Sequence, residues 1–451
     1  MAMTSKRFFR FLPELGRKLP PDILARARIE LKIWLNKHAG TMSPRRFDVI
    51  DLGVVAIMLI SLSALLFMIS EISISYKEIT KLYGSDLWLF AWLRVCLEIF
   101  GVGDYSLRGS LLLMHAINMW LMYAIGRIYL RKKRDCLLLI LLYALLPGVN
   151  ISAILLYESV FIIFGFLLVC YLQLRFKRIP YALLIAIGLL DLAFCTLFIA
   201  LGIHALHKRN NTALITALLG FGINMFLYSS SIHGVPQAYF LDELGAMAML
   251  FSPLVFLYYI YTLYAALARR KDYSLLVLVS ISGIIFSLLL SLRQDIDIAK
   301  FAPACVVGLP ALVYGFYNDM RSRLRIYRTR FKVRMAVIFS VLCVEVFCLF
   351  GNKFVYLFSL EPNYARSYYV AKDLAHELSS RGVKNLKIQD STLALRLGFY
   401  GIGAGSGACL YTLDSNTPIS KSTKSKDIIE VHYLGKLIAR YKLVRNNACR
   451  I

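Results

Sequence analysis

Two carboxylates stand where apolar runs meet polar chain. Glu71 closes one such run in "FMISEISISYKEITKLYGSD", and Glu158 opens another in "ILLYESVFIIF". A carboxylate at the end of a membrane span is partly desolvated, which raises its proton affinity toward what a general base needs. Both fall on the same side of the topology derived below, so they can converge on one site. Cations are scarcer on that side than on the other, and Lys77, Lys81, Arg94, Arg108, Arg293 and Lys300 all map near it. An anionic lipid phosphate brought to this face needs such partners, with arginine able to bind two oxygens at once. Asp191 and Glu345 lie deeper and are expected to pair inside the bundle, while His115 and His204 read as ordinary interior or interfacial histidines. His233 and Asp242, in "SSIHGVPQAYFLDELG", are weak candidates for a divalent metal. The nine cysteines show no CxxC or Cys/His spacing of a metal site. Only Cys409 and Cys449 fall in the polar tail, where a disulfide between them requires an oxidising compartment.

These residues need a scaffold that carries them to one face of a bilayer, and the composition supplies it. The chain has 451 residues, of which 59% are hydrophobic. That exceeds the roughly 45–50% of soluble domains and implies lipid-facing surface. Runs such as "DLGVVAIMLISLSALLFMI" and "AVIFSVLCVEVFCLF" suit a hydrocarbon layer about 30 Å thick. The first begins only after residue 50, behind a long basic segment, and reads as an uncleaved anchor rather than a signal peptide. The net charge of +25 is not a nucleic-acid footprint, because nothing resembles a binding module. The charge instead recurs in short clusters between apolar runs: "SPRR" before the first, then "RKKR" (131–134), "RFKR" (175–178), "HKR" (207–209), "ARRK" (268–271) and "RSRLRIYRTRFKVR" (321–334). This is the positive-inside pattern of cytoplasmic loops.

Residues 1–46 are expected to form a basic, amphipathic cytoplasmic arm with an interfacial helix. Residues 47–351 form the membrane domain, an α-helical polytopic unit of about eleven transmembrane helices. The expected spans are 49–70, 109–130, 136–151, 158–174, 181–195, 196–207, 212–230, 246–267, 274–291, 301–317 and 334–351. The pair at 181–207 is short for two full crossings and suits half-length helices sheltered by neighbours. An N-terminus inside places every basic cluster in the cytoplasm and the tail outside. The outer loop 71–108 holds "SDLWLFAWLRVCLEIF", with Trp88 and Trp92 suited to the headgroup zone. Residues 352–451 read as a small C-terminal α/β domain: a helix in "YARSYYVAKDLAHELSSRG", a strand in "KNLKIQD", a helix in "STLALRLGFYG", then strands in "CLYTL", "IIEVHYLG" and "ARYKLVR". No internal repeat is evident, which counts against an inverted-repeat transporter.

The stretch "EIFGVGDYSLRGSLLL" (98–113) resembles the "LFG-V-x-E/D-x-x-x-R-L-P-S-A-L" signature of the large GT-C membrane glycosyltransferases, among them protein O-mannosyltransferases and the lipid A aminoarabinose transferase. Arg108 falls on the family arginine and Asp104 on its acidic position. "YKEI" (76–79) is similar to the second half of the family's "D-E-x-x-Y-x-E-I". Aligned without a gap, Ile72 and Ser73 take the positions of the acidic pair, and Glu71 lies one residue earlier. Glu158 occupies a place where the family often has Asp. "AKFAPACVVGLPAL" (299–312) resembles the family's proline-containing start of a late span, and the tail resembles its small periplasmic domain.

The resemblance implies a GT-C-like fold with a periplasmic C-terminal domain and an inverting glycosyltransferase of the bacterial inner membrane. Its donor would be a polyprenyl-phosphate-linked sugar, and its acceptor lipopolysaccharide, lipid A or another envelope glycan. Glu71 and Glu158 are the expected catalytic carboxylates. Lys77, Arg94, Arg108, Arg293 and Lys300 are the expected donor-phosphate ligands. A divalent metal is the one cofactor left open. A transporter or flippase for a lipid-linked glycan, or a non-catalytic scaffold, are the alternative classes.

Overall fold

Proline and charge decide where the apolar runs break. The computed structural model describes residues 48–85, 87–228, 239–354, 368–413 and 428–445, so the arm at 1–46, His233 and Cys449 lie outside the described residues. Among the described residues four helices are long and apolar enough to cross a membrane: α1 (Val49–Glu71), α4 (Asp104–Tyr129), α7 (Ser159–Phe176) and α16 (Arg325–Phe350). Three more runs are bent pairs. Helices α5 (Asp135–Leu145) and α6 (Pro147–Ile154) meet at 59°, α11 (Phe240–Phe251) and α12 (Pro253–Tyr264) at 100°, and α14 (Ile298–Val306) and α15 (Leu309–Ser322) at 42°. Pro147, Pro253 and Pro310 each stand in the first turn of the second member, where a missing N–H costs nothing but the preceding helix cannot continue. Ser252, at φ 68°, makes the sharpest of these corners. By length and composition the described residues thus hold four spans, or seven when each bent pair counts as one.

The short segments complete the bundle. Helix α8 (Tyr181–Gly188) stops half way, a 3₁₀ turn (Leu192–Phe194) follows, and α9 (Cys195–Lys208) resumes. The break exposes carbonyls inside the protein, and α10 (Asn211–Leu227) supplies their donors. Asn224 Nδ2 donates to the carbonyls of Gly188 at 2.6 Å and Asp191 at 2.9 Å, and the Tyr228 hydroxyl donates to Leu189 at 3.0 Å. This is the sheltering that irregular backbone inside a bundle requires. Helix α13 (Leu275–Ser291) closes the set. Between α1 and α4 lie an extended strip at 72–75 and two short helices, α2 (Tyr76–Gly84) and α3 (Trp88–Phe100). Helix α3 buries Leu89, Phe90, Leu93 and Leu97 and leaves Trp92 exposed.

The basic loops gather at one end of the bundle. Lys133 pairs with Asp48 at 3.2 Å, Arg127 with Asp51 at 2.8 Å and Arg321 with Asp135 at 2.5 Å. The Tyr129 hydroxyl donates to Asp272 at 2.5 Å, and the carbonyl of Tyr273 meets His204 Nδ1 at 2.8 Å.

At the opposite end sits a four-stranded sheet, order β1-β2-β4-β3, built from Asn385–Ile388, Gly403–Leu413, Ile428–Tyr433 and Lys436–Arg445 in chain order. Strands β1 and β2 are parallel and the other pairs antiparallel. Helices α17 (Ala371–Ser380) and α18 (Ser391–Phe399) complete this unit; the first is shorter than its sequence suggests, with Tyr368–Val370 lying outside it. Its core is not separate from the bundle. Leu374, Leu397, Leu410, Ile429 and Leu443 share one buried cluster with Leu65, Ile69, Leu112 and Ile154 of the membrane helices. The boundary expected at 351–352 is therefore a change of architecture but no gap in packing. Cys409 on β2 is disulfide-bonded, while the seven other described cysteines are free.

Candidate functional site

Two groups of polar residues form at the sheet-bearing end of the bundle, and the sequence-based candidates divide between them. The first surrounds the strip at 72–75. Ser75 caps helix α2, its Oγ accepting from the Glu78 amide at 3.3 Å while Glu78 Oε2 accepts from the Ser75 amide at 2.9 Å. This capping box draws Glu78 into the interior, where its Oε1 also accepts from the Leu156 amide at 3.1 Å. Arg108 answers it from the first turns of α4. Its Nη1 donates to the Ile72 carbonyl at 2.8 Å, and its Nη2 donates to Ser73 at 3.3 Å and Glu78 at 3.4 Å. Asp104 lies 3.9 Å from the same guanidinium.

The C-terminal unit grips the strip from the other side. Arg396 donates to the Ile74 carbonyl, the Ser73 hydroxyl and the Tyr369 carbonyl at 3.0, 3.1 and 2.7 Å. The Ile74 amide donates to the Tyr400 hydroxyl at 3.0 Å, which in turn donates to Asp104 at 2.9 Å. Lys372 bonds Asp104 and the Ser70 carbonyl at 2.9 and 2.8 Å.

This arrangement reassigns several candidates. Arg108, expected to hold donor phosphate, is fully buried and locked onto backbone carbonyls, so it serves as an internal clamp. Glu71, expected to be catalytic, pairs with Lys353, whose ammonium also sits 4.6 Å over the Tyr433 ring. Arg94 donates to the Leu82 carbonyl at 3.0 Å and ties α3 to α2. Lys77 and Arg293 are exposed, and among the described residues neither hydrogen-bonds nor ion-pairs with another candidate. The Glu71–Lys353 pair is partly open to solvent, so Glu71→Gln is expected to cost about 1 kcal/mol or less. A thermal midpoint within a few degrees of wild type in detergent checks this, and a large drop would show a deeper structural role.

The second group contains Glu158 and Lys300. Glu158 precedes the first residue of α7 and interacts electrostatically with Asp191, Lys300, Lys81 and Asp297. Its carboxyl titrates above the ordinary glutamate range, because burial penalises its charge and the Asp191 carboxylate adds to the effect. Lys81, on α2, lies 4.0 Å from Asp297 and 4.9 Å above the Tyr157 ring. Asp297 caps α14 through the Ala299 amide at 3.1 Å, and Ser159 Oγ donates to the Ala299 carbonyl at 2.6 Å. These contacts bring the starts of α7 and α14 together. Between them opens a cavity of about 250 Å³. Its rim carries Tyr157, Ser159 and Asp297, and its walls are apolar, with Val149, Leu155, Ile163, Leu250, Phe251 and Val306 among them. The apolar recess thus borders the sequence neighbours of Glu158, Tyr157 and Ser159, and the carboxylate partner of Lys81, Asp297.

Asp191 and Glu345 were expected to pair inside the bundle. Asp191 instead caps the 3₁₀ turn through the Ala193 amide at 2.8 Å and faces the Glu158 group. Glu345 Oε2 is buried with no hydrogen-bond partner among the described residues. His115 is a fully buried interior histidine. Asp242 is exposed, and no group of three or more His, Cys, Asp or Glu among the described residues could hold a metal ion. Asp297 escaped the sequence reading because "RQDIDIAK" looks like a solvated loop; the signal was an aspartate just ahead of an apolar helix, the mark of an N-cap.

No protein-family model matches the chain, and no curated protein is significantly similar to it in sequence.

Proposed function

We propose that the chain is a glycosyltransferase of the bacterial inner membrane, with a GT-C-like bundle of about eleven spans. It takes a polyprenyl-phosphate-linked sugar at the extracytoplasmic face and transfers it to lipopolysaccharide, lipid A or another envelope glycan. The observation that carries this reading is an apolar cavity lined by Tyr157 and Ser159, which flank Glu158, and by Asp297, which pairs with Lys81, where Lys300 and Lys81 act electrostatically on Glu158. Lys300 and Lys81 hold the donor phosphate, and the first carbons of its lipid enter the cavity. Glu158 takes the proton of the acceptor hydroxyl as its oxygen attacks the anomeric carbon. The bond from that carbon to the phosphate oxygen breaks, the electron pair leaves with the lipid phosphate, and the configuration inverts. A phosphate is already a good leaving group, so no general acid is required there. Asp297, beside Lys81, sets the position of that ammonium. The transporter alternative draws less support, since the ionisable groups concentrate at the ends of the bundle rather than along a path through it.

Two features of opposite ends support an orientation with the C-terminal unit outside. The basic loops at one end suit the cytoplasm, and a disulfide-bonded cysteine at the other suits an oxidising compartment. Alkaline phosphatase fused to the C-terminal unit is therefore expected to be active in cells; an inactive fusion with intact protein would reverse the orientation. The function itself is tested by comparing the envelope glycolipids of cells with and without the gene by mass spectrometry. A glycolipid one sugar lighter is expected in its absence, and identical profiles would remove the transferase reading.

A further inference from the structure

At the end of the bundle remote from Glu158, the turn between α4 and α5 folds into a cleft of about 410 Å³. Four cations line it, Arg127, Arg131, Lys132 and Lys133, together with Leu130 and Cys136. Two of the four are neutralised: Arg127 by Asp51 at 2.8 Å and Lys133 by Asp48 at 3.2 Å. The other carboxylate of this turn, Asp135, is buried and taken by Arg321 at 2.5 Å. Arg131 has an aromatic partner, its guanidinium lying 5.3 Å over the Tyr314 ring, which fixes its position and leaves its charge intact. Lys132 is exposed and pairs with no carboxylate among the described residues. Among the described residues the cleft therefore carries two cations without a carboxylate partner, one of them held over an aromatic ring.

Its surroundings identify the anion that suits it. The ion pairs to Asp48 and Asp51 set the first turn of α1 against the cleft, and that turn exposes Val49 (85%) and Leu52 (68%). Ile128, next to Arg127 in sequence, is exposed as well. Cations beside outward-facing apolar side chains match a molecule whose phosphate joins directly to hydrocarbon. We infer that this cleft seats the phosphate of an anionic glycerophospholipid from the leaflet at this end of the bundle. Arg131 and Lys132 bind the phosphate, and the acyl chains lie along the exposed face of α1. Free phosphate would meet the same cations but gain nothing from Val49 and Leu52. The site is independent of the transferase reading, which concerns the opposite end.

Native mass spectrometry of the full chain in detergent tests the assignment, with phosphatidylglycerol, cardiolipin, phosphatidylcholine and inorganic phosphate as probes. Anionic lipid adducts are expected to survive at activation energies that strip phosphatidylcholine. The double variant Arg131→Gln/Lys132→Gln should lower their retention roughly thirtyfold, in keeping with about 1 kcal/mol for each of two basic side chains near an anionic membrane surface. The thermal midpoint in phosphatidylcholine alone should not change, since neither side chain holds a carboxylate. Equal retention of phosphatidylcholine, or undiminished anionic adducts in the double variant, overturns the proposal. Displacement of the lipid by millimolar inorganic phosphate would make this a free-anion site and also overturn it.

Discussion

Glu158→Gln is expected to lower sugar transfer by at least about a hundredfold, the lower end of what a positioned general base contributes. The substitution keeps the shape and removes the proton acceptor. No protein donor among the described residues hydrogen-bonds the Glu158 side chain, so expression and thermal midpoint should stay near wild type. That separation matters, because a merely structural glutamate would move the midpoint together with the activity. The wild-type rate should also fall with acidification at a higher pH than an ordinary glutamate would dictate. Burial, followed by the charge of Asp191, favours the protonated form, and only the deprotonated form can accept the acceptor's proton. Membrane vesicles supplied with a polyprenyl-phosphate sugar provide the measurement. Undiminished product from the variant would sink the assignment of Glu158, even if the chain is a transferase.

Arg108→Ala is the second large expectation, and it concerns stability. The guanidinium is fully buried, and its removal leaves Glu78 charged in the interior with no cation beside it. The Ile72 and Ser73 carbonyls lose their donors in the same step. Breaking a buried ion pair from one side typically costs about 3–5 kcal/mol, a large share of the roughly 5–15 kcal/mol that stabilises most domains. Little folded protein should be recovered, as read by size-exclusion chromatography and thermal midpoint. The pair Arg108→Met/Glu78→Gln should recover part of the loss, since it removes both charges together. Wild-type stability of Arg108→Ala would mean that the clamp is dispensable.

What could be read in the chain beforehand, and what could not, follows from the range of the forces involved. The apolar runs predicted the helices, because burying backbone inside hydrocarbon leaves few other structures. The prolines at 147, 253 and 310 carried the breaks within them. Glu158 and Lys300 were recognisable because a charge at the tip of a span is conspicuous wherever it points. Partnership is another matter. Arg108 also sits at the tip of a span, yet its partners come from a strip some thirty-five residues earlier. Glu71 is matched by Lys353, which lies 282 positions away. Position along the chain tells how deep a charge lies, but the fold decides what it touches.

The strip at 72–75 is held between Arg108 on one side and Arg396, Tyr400 and Lys372 on the other. Four residues without a helix or sheet of their own thus depend on chain ends lying hundreds of positions apart. A truncation ahead of α17 would strip Asp104 of Lys372 and leave the Ile74 amide without the Tyr400 hydroxyl. Synthesis adds an order to this: Lys372, Arg396 and Tyr400 leave the ribosome about three hundred residues after the strip they hold.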